Sequence, residues 1–300
     1  MRGSRFLLFL SLTVLSCNAS SNMKNTGLPE NFDWQGHRGA RGLKPENTVP
    51  AFLKALQYPE IRTLELDVVI SGDSQVVVSH DPWMSETICS HPDGRPVAKD
   101  KARSLNLFRM TYEEIKKYDC GKRGHPGFPE QQIEAAEKPL LKDLFAAVKE
   151  YCQRNNLPMP HYNIEIKSKP EWDGVYTPAP DVFARLVFAE IEAYNDPDRI
   201  CVQSFDKRSL QAMHQLAPEM TLALLLEDLG GVKAQIEELG FTPNVFSPYY
   251  KLVTAHLVQA AHESGMRIIP WTVNDSETMK SLIGLGVDGI ITDYPDRIPR

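Results

Sequence analysis

Four short polar clusters are spaced through the 300-residue chain: His37-Arg38-Gly39, Glu65-Leu66-Asp67, Ser79-His80-Asp81 and Asn163-Ile164-Glu165-Ile166-Lys167. Each ends or interrupts a run of apolar, often β-branched residues. Strand side chains alternate between faces, so Glu65 shares a face with Asp67 and Glu165 shares one with Lys167, while Leu66, Ile164 and Ile166 point the other way. Charged groups turned into a sheet interior are costly unless they are paired or coordinate a metal. Three carboxylates gathered at one mouth would repel one another without a cation. An all-oxygen ligand set suits one hard divalent ion, Mg²⁺ or Ca²⁺, rather than Zn²⁺. Near that ion, His37 and His80 offer an acid and a base, and Arg38 and Lys167 are fixed cations able to hold an anion the ion also touches. Such a set can cleave a phosphodiester. The cations offset charge growing on the phosphoryl oxygens, one histidine takes a proton from the nucleophile, and the other gives one to the leaving alcohol. Taken singly, a histidine at a strand end is more often structural than catalytic, and a lone E-x-D is a weaker signal still. Their shared position near strand C-termini carries the inference.

The elements that must position these residues follow a clear rhythm. From residue 160 onward, strands are expected over 161–167, 200–205, 221–226, 244–249, 267–273 and 287–294. Helices are expected between them over 181–194, 207–216, 232–239, 255–264 and 277–285. The N-terminal part adds strands over 32–37, 63–70 and 75–80 and a helix over 49–57, with Thr48 suited to its N-cap and Pro50 to its first turn. Only Ser71-Gly72-Asp73-Ser74 separates two of these strands, too little for a parallel crossover, so they must form an antiparallel hairpin. A turn centred on Asp73 pairs residues whose numbers sum to about 146 and sets His80 opposite Leu66, between Glu65 and Asp67. Eight parallel strands remain, which predicts an α/β fold, a TIM (β/α)8 barrel with an antiparallel hairpin and a long insertion after the second strand. The other architecture, an open doubly wound sheet, lacks its phosphate loop, because Gly36, Gly39 and Gly42 do not make the G-x-G-x-x-G pattern. Residues 82–138 break the rhythm and are expected to pack over the barrel mouth as an insertion that takes part in binding.

The composition, 42% hydrophobic and 24% charged with a formal charge of -6, is that of a folded globular protein and excludes disordered, collagen-like and disulfide-framework classes. Thirty-nine acidic against 33 basic residues argue against a sequence-independent nucleic-acid binder. At the N-terminus, Arg2 and Arg5 precede an apolar run too short to span a bilayer, the pattern of a signal peptide over residues 1–16. Val14-Leu15-Ser16-Cys17 resembles a bacterial lipobox. Cys17 is then the lipidated first residue of a mature chain of 284 residues carrying -8, and 17–31 is a tether to domain 32–300. This places the protein in the bacterial cell envelope, exported and anchored to a membrane surface on the periplasmic side or outside. Of the other cysteines, Cys89 and Cys120 both fall in the irregular insertion and are the first candidates for a disulfide, although four cysteines allow three full pairings. Cys152 and Cys201 read as small buried residues.

As a set, His37-Arg38-Gly39-Ala40 with Pro45-Glu46-Asn47-Thr48, Glu65-Leu66-Asp67-Val68, His80-Asp81-Pro82, Glu165-Ile166-Lys167, Gln203-Ser204-Phe205 and residues 288–295 resemble the glycerophosphodiester phosphodiesterase family from about residue 33 to 298. The resemblance implies metal-dependent hydrolysis of a small-molecule glycerophosphodiester to sn-glycerol 3-phosphate and an alcohol. It implies His37 and His80 as the acid and base pair, Glu65, Asp67 and Glu165 as metal ligands, Arg38 and Lys167 as phosphate contacts, and Trp271 as a wall for the glycerol end. A hydroxyl of the glycerol can serve there as internal nucleophile before water completes the reaction. Residues 83–89 depart from the family pattern, so the resemblance carries the reaction and not the head group. Other readings of the same residues are a phospholipase D-like activity on intact lipids, a non-catalytic phosphodiester-binding lipoprotein, and a Schiff-base aldolase centred on Lys167. The last is disfavoured by carboxylates that would keep the lysine cationic.

Overall fold

The structure, a computed structural model, describes residues 31–228 and 231–299. The signal peptide, Cys17 and nearly all of the tether lie outside the described residues. In chain order the elements are β1 (Asp33–Gly36), α1 (Val49–Ala55), β2 (Ile61–Ile70), β3 (Val76–Val78), α2 (Tyr112–Ile115), α3 (Leu141–Asn155), β4 (His161–Ile166), α4 (Pro180–Tyr194), β5 (Ile200–Ser204), α5 (Lys207–Leu216), β6 (Thr221–Leu226), α6 (Val232–Leu239), β7 (Val245–Pro248), α7 (Ala255–Glu263), β8 (Arg267–Ile268), α8 (Ser276–Leu285) and β9 (Gly289–Thr292).

Every neighbour in the strand order β8-β7-β6-β5-β4-β2-β1-β9 is parallel. The two ends meet through backbone hydrogen bonds from Asp288 to Ile268 (2.9 Å), Ile291 to Pro270 (3.0 Å) and Val273 to Ile291 (2.9 Å). The sheet therefore closes into the expected TIM barrel. The eighth strand is shorter than its sequence suggests: regular pairing covers Arg267–Ile268, and the segment to Val273 continues irregularly, joined to its neighbours by single hydrogen bonds.

Strand β3 pairs antiparallel with β2 in the register Val68↔Val78, Val69↔Val77 and Ile70↔Val76. The Ser79 N–H donating to the Asp67 carbonyl at 2.9 Å carries that register one residue further, so His80 follows at the carboxylate end of β2. The outward residues Leu64, Leu66, Val68, Ile164 and Ile166 are fully buried against the helix layer. The opposite set of β2, Glu65 and Asp67, faces the interior.

The insertion has a core of its own. Val69 and Val77, on the same face of the hairpin as Glu65 and Asp67, pack with Met84, Ile88, Leu107 and Ile115, and a Cys89–Cys120 disulfide closes a 31-residue separation within it. Cys152 and Cys201 are free, and burial pushes the Cys201 thiol up to about 12, leaving it inert at neutral pH. The insertion reaches the mouth of the barrel at two aromatic contacts. Trp83 stands edge-on to Trp172 at 5.8 Å, and Phe128 lies under the Arg41 guanidinium at 4.4 Å.

Candidate functional site

Beyond β1 the chain turns sharply: Arg38 (φ 49°) and Gly39 (φ 83°) both adopt the left-handed region. A β-carbon on Gly39 would stand 2.5 Å from the Ala51 carbonyl carbon, so that position requires glycine. The turn aims the Arg38 backbone N–H at Glu65 Oε2 (2.8 Å) and lays the Arg38 side chain between Glu46 Oε1 (2.8 Å) and Asp67 Oδ2 (3.2 Å). Thr48 caps α1 as expected, accepting from the Ala51 N–H. Its neighbour Asn47 grips Asp67 from two sides, donating from Nδ2 to Oδ2 (2.7 Å) and accepting from the Asp67 backbone N–H (3.2 Å).

Glu65, Asp67 and Glu165 are buried, each offering a carboxylate oxygen within 4.8 Å of the others. Burial and then Asp67 and Glu165 push Glu65 well above the usual carboxylate range. Burial also raises Glu165, to about 7, with Lys167 opposing it. Burial acts the same way on Asp67, but Arg38, His80 and Lys167 outweigh it and hold that group low. This is a cluster with more negative charge than its neighbours neutralise. Asp67 Oδ1 is buried with no hydrogen-bond donor and stands 3.7 Å from Lys167 Nζ; Lys167 itself is held by Glu165 at 2.7 Å. An unpartnered buried oxygen within three convergent carboxylates fits one hard divalent cation.

His37 has one ring nitrogen fixed, Nδ1 lying 2.6 Å from Asp293 Oδ1. Asp293 also accepts from Arg41 (2.7 and 3.1 Å) and Asn274 (2.7 Å). Although burial raises it, His37 and Arg41 hold Asp293 below the usual carboxylate range, so it is ionised and can only accept. The His37 proton therefore sits on Nδ1. Nε2 is left bare, 3.9 Å from Glu65 Oε2, and burial lowers the imidazole to about 4 against the pull of Asp293. His80 is half-buried, with Nδ1 2.9 Å from Asp81. Burial, Arg38 and Lys167 lower it, and Asp67 and Asp81 oppose them.

A cavity of about 380 Å³ joins these groups. His37, Arg38, Glu65, His80, Glu165 and Lys167 form its base, and Trp172, Phe205, Leu225 and Trp271 its apolar wall. Trp271 is pinned by donating Nε1–H to the Ser247 carbonyl (2.9 Å) and packs edge-on to Phe205. The catalytic, metal and substrate residues singled out from sequence thus meet at one place, with Asp67 joined to it through the carboxylate cluster. Sequence reasoning placed Asp293, Asn47, Glu46 and Gln203 in its motifs but did not assign them as partners of these residues; the last donates from Nε2 to Glu65 Oε1 at 2.8 Å. Lys138 was missed; it is buried, donates to Ser79 Oγ (2.8 Å) and is lowered by burial. A polar residue at a predicted strand end was a usable signal for Asp293.

The model of the glycerophosphoryl diester phosphodiesterase family matches residues 37–297, nearly the whole described chain. The chain belongs to that family. It is 32% identical over 264 residues to a glycerophosphodiester phosphodiesterase of Caldanaerobacter subterraneus subsp. tengcongensis, covering 87% of this chain and 94% of that one. A Silicibacter pomeroyi crystal structure assigned to the same family superposes with a TM-score of 0.79 at 29% identity, over 90% of this chain and 92% of that one. An Oleispira antarctica phosphodiesterase, in complex with the product sn-glycerol-3-phosphate, shares the fold with a TM-score of 0.69 at 21% identity, over 91% and 96%. This phosphodiesterase family member thus has a TIM barrel whose mouth holds a carboxylate cluster flanked by two fixed cations and two histidines.

Proposed function

We propose that this phosphodiesterase hydrolyses glycerophosphodiesters to sn-glycerol 3-phosphate and an alcohol, with one divalent cation, Mg²⁺ or Ca²⁺, held by Glu65, Asp67 and Glu165. The carrying observation is the buried three-carboxylate cluster with its unpartnered Asp67 oxygen, facing Arg38 and Lys167. When bound, the cation neutralises charge developing on the phosphoryl oxygens.

The rest falls to the chain itself. Arg38 and Lys167 hold the phosphodiester. His37, neutral at pH 7 and oriented by Asp293, presents Nε2 as the base that takes the proton of the attacking hydroxyl, either the substrate's own glycerol hydroxyl or water. His80 returns a proton to the departing alcohol. An anion seated between Arg38 and Lys167 offsets the two charges that lower His80, so substrate binding itself favours its protonated form. Trp271 and Phe205 wall the glycerol carbons. The product held by the Oleispira antarctica relative supports this choice of product.

The domain reading 32–300, with 82–138 as an insertion over the barrel mouth, and export with lipidation of Cys17 belong to the same proposal. They would place the enzyme at the cell envelope, on a membrane surface. The test is enzymatic release of glycerol 3-phosphate from a panel of glycerophosphodiesters alongside intact diacyl lipid. Turnover of the deacylated panel alone supports the proposal. Turnover of diacyl lipid alone replaces it with a phospholipase D-like reading, and tight binding without turnover replaces it with a carrier.

A further inference from the structure

The barrel interior is divided. Strands β6 to β9 fill their part with Ala223, Val245, Ile269 and Ile291, the apolar packing expected of such a core. On β1, β2, β4 and β5 the corresponding positions carry amides and carboxylates joined into one chain. Gln203 Nε2 donates to Glu65 Oε1 (2.8 Å), and Asn163 Nδ2 donates both to Gln203 Oε1 (3.0 Å) and to Gln35 Oε1 (2.8 Å). Gln35 Nε2 in turn donates to Asp33 Oδ2 (2.8 Å) at the far end of the barrel.

With the proposed cation holding Glu65 ionised, a row of amides that ends on a carboxylate at each side needs one member that donates both ways, because ionised carboxylates only accept. Asn163 Nδ2, with two hydrogens, is that member. The arrangement leaves Asn163 Oδ1 buried with no partner among the described residues. Amide orientations are assigned from networks, and this network admits one assignment. Turning Gln203 over would set its oxygen against the Glu65 carboxylate and its NH₂ against that of Asn163. Glu65 consequently receives one donor on each oxygen, Gln203 on Oε1 and the Arg38 N–H on Oε2. Its carboxylate plane is fixed, and the remaining lone pairs can face the cluster it shares with Asp67 and Glu165.

We propose that Asn163, acting through Gln203, is a positioning residue that sets the Glu65 carboxylate for cation binding. This rests on the cation site proposed above. Outer hydrogen-bond partners of metal ligands commonly contribute about 10- to 100-fold in affinity.

The test is calorimetric titration of Mg²⁺ and of Ca²⁺ into the full chain and its variants, with metal-free melting temperatures read alongside. Gln203→Met, of similar length, is expected to weaken binding about 10- to 100-fold. Asn163→Leu is expected to weaken it less, in the same direction. The double variant should bind no more weakly than Gln203→Met, because Asn163 acts through that side chain. The metal concentration for half-maximal activity should shift by the same factor. Additive losses, or wild-type affinity in Asn163→Leu, would overturn the proposal. Should Asn163→Leu not fold, wild-type affinity in Gln203→Met overturns it alone. A wild-type chain that binds neither ion overturns the cation site itself and this inference with it.

Discussion

His37 and Asp293 form the most consequential pair in the site, because the carboxylate decides which imidazole nitrogen is free. Asp293→Asn removes the fixed acceptor and permits the other tautomer. The expected loss in kcat is about 10²- to 10⁴-fold with little change in KM, read by steady-state kinetics. The two histidines separate by leaving group: a p-nitrophenyl ester of glycerol phosphate needs no protonated leaving group. It should restore much of the activity of His80→Ala and none of that of His37→Ala. Burial also makes His37 a stability sensor. Its folded value of about 4 lies below the 6.5 of an open imidazole, so between these values the unfolded chain binds a proton that the folded chain does not. Stability is then full above pH 6.5 and falls toward pH 4, on the order of 3 kcal/mol from this group. Urea midpoints across that window should drop in the wild type and drop less in His37→Phe. At this scale the carboxylates, histidines and cations were legible because their types are expensive inside a strand. Asp293 carried the same signal at a strand end, but its pairing did not show, because its partner lies 256 residues away and becomes a neighbour only when β9 pairs with β1.

The elements divide between those fixed by local chemistry and those fixed by closure. The β2–β3 hairpin could be read to the residue, since a four-residue link permits one register and the alternation between core and site faces forbids a slip. The Thr48 cap was equally legible, and Thr48→Ala should lower stability by about 1 kcal/mol. The same short segment carries more than a cap, because Glu46 and Asn47 hold Arg38 and Asp67. That role requires the left-handed turns at Arg38 and Asn47, which a sequence of ordinary polar residues does not announce. Strand β8 was overestimated because its apolar run continues past the last regular pair. The insertion packs through its own apolar cluster on the hairpin face that carries Glu65 and Asp67, and its disulfide constrains a 31-residue separation. Replacing Cys89 and Cys120 by Ser should cost about 3–4 kcal/mol by loop entropy. A denaturation midpoint unchanged by the double replacement or by reductant would contradict that.

For the molecule as a whole, a net charge of -6 coexists with a site built to hold an anion. Global charge excludes an extended polyanion on the surface and says little about one phosphodiester in a pocket whose cations are fixed by buried carboxylates. The barrel was legible from strand count and spacing. Its polar half-interior was legible only in part, because Gln35, Asn163 and Gln203 become a chain only once four strands curve around one axis. If Cys17 anchors the protein, Cys17→Ser should move it from the membrane pellet to the soluble envelope fraction without changing kcat. The central claim, that Glu65, Asp67 and Glu165 bind a cation required for phosphodiester hydrolysis, has a direct test in glycerol 3-phosphate release from glycerophosphocholine, measured before chelation, after it, and after Mg²⁺ or Ca²⁺ is restored. Activity that vanishes with chelator, returns with one of the ions and never appears in Glu65→Ala is the predicted result; full wild-type activity in excess chelator would contradict the account.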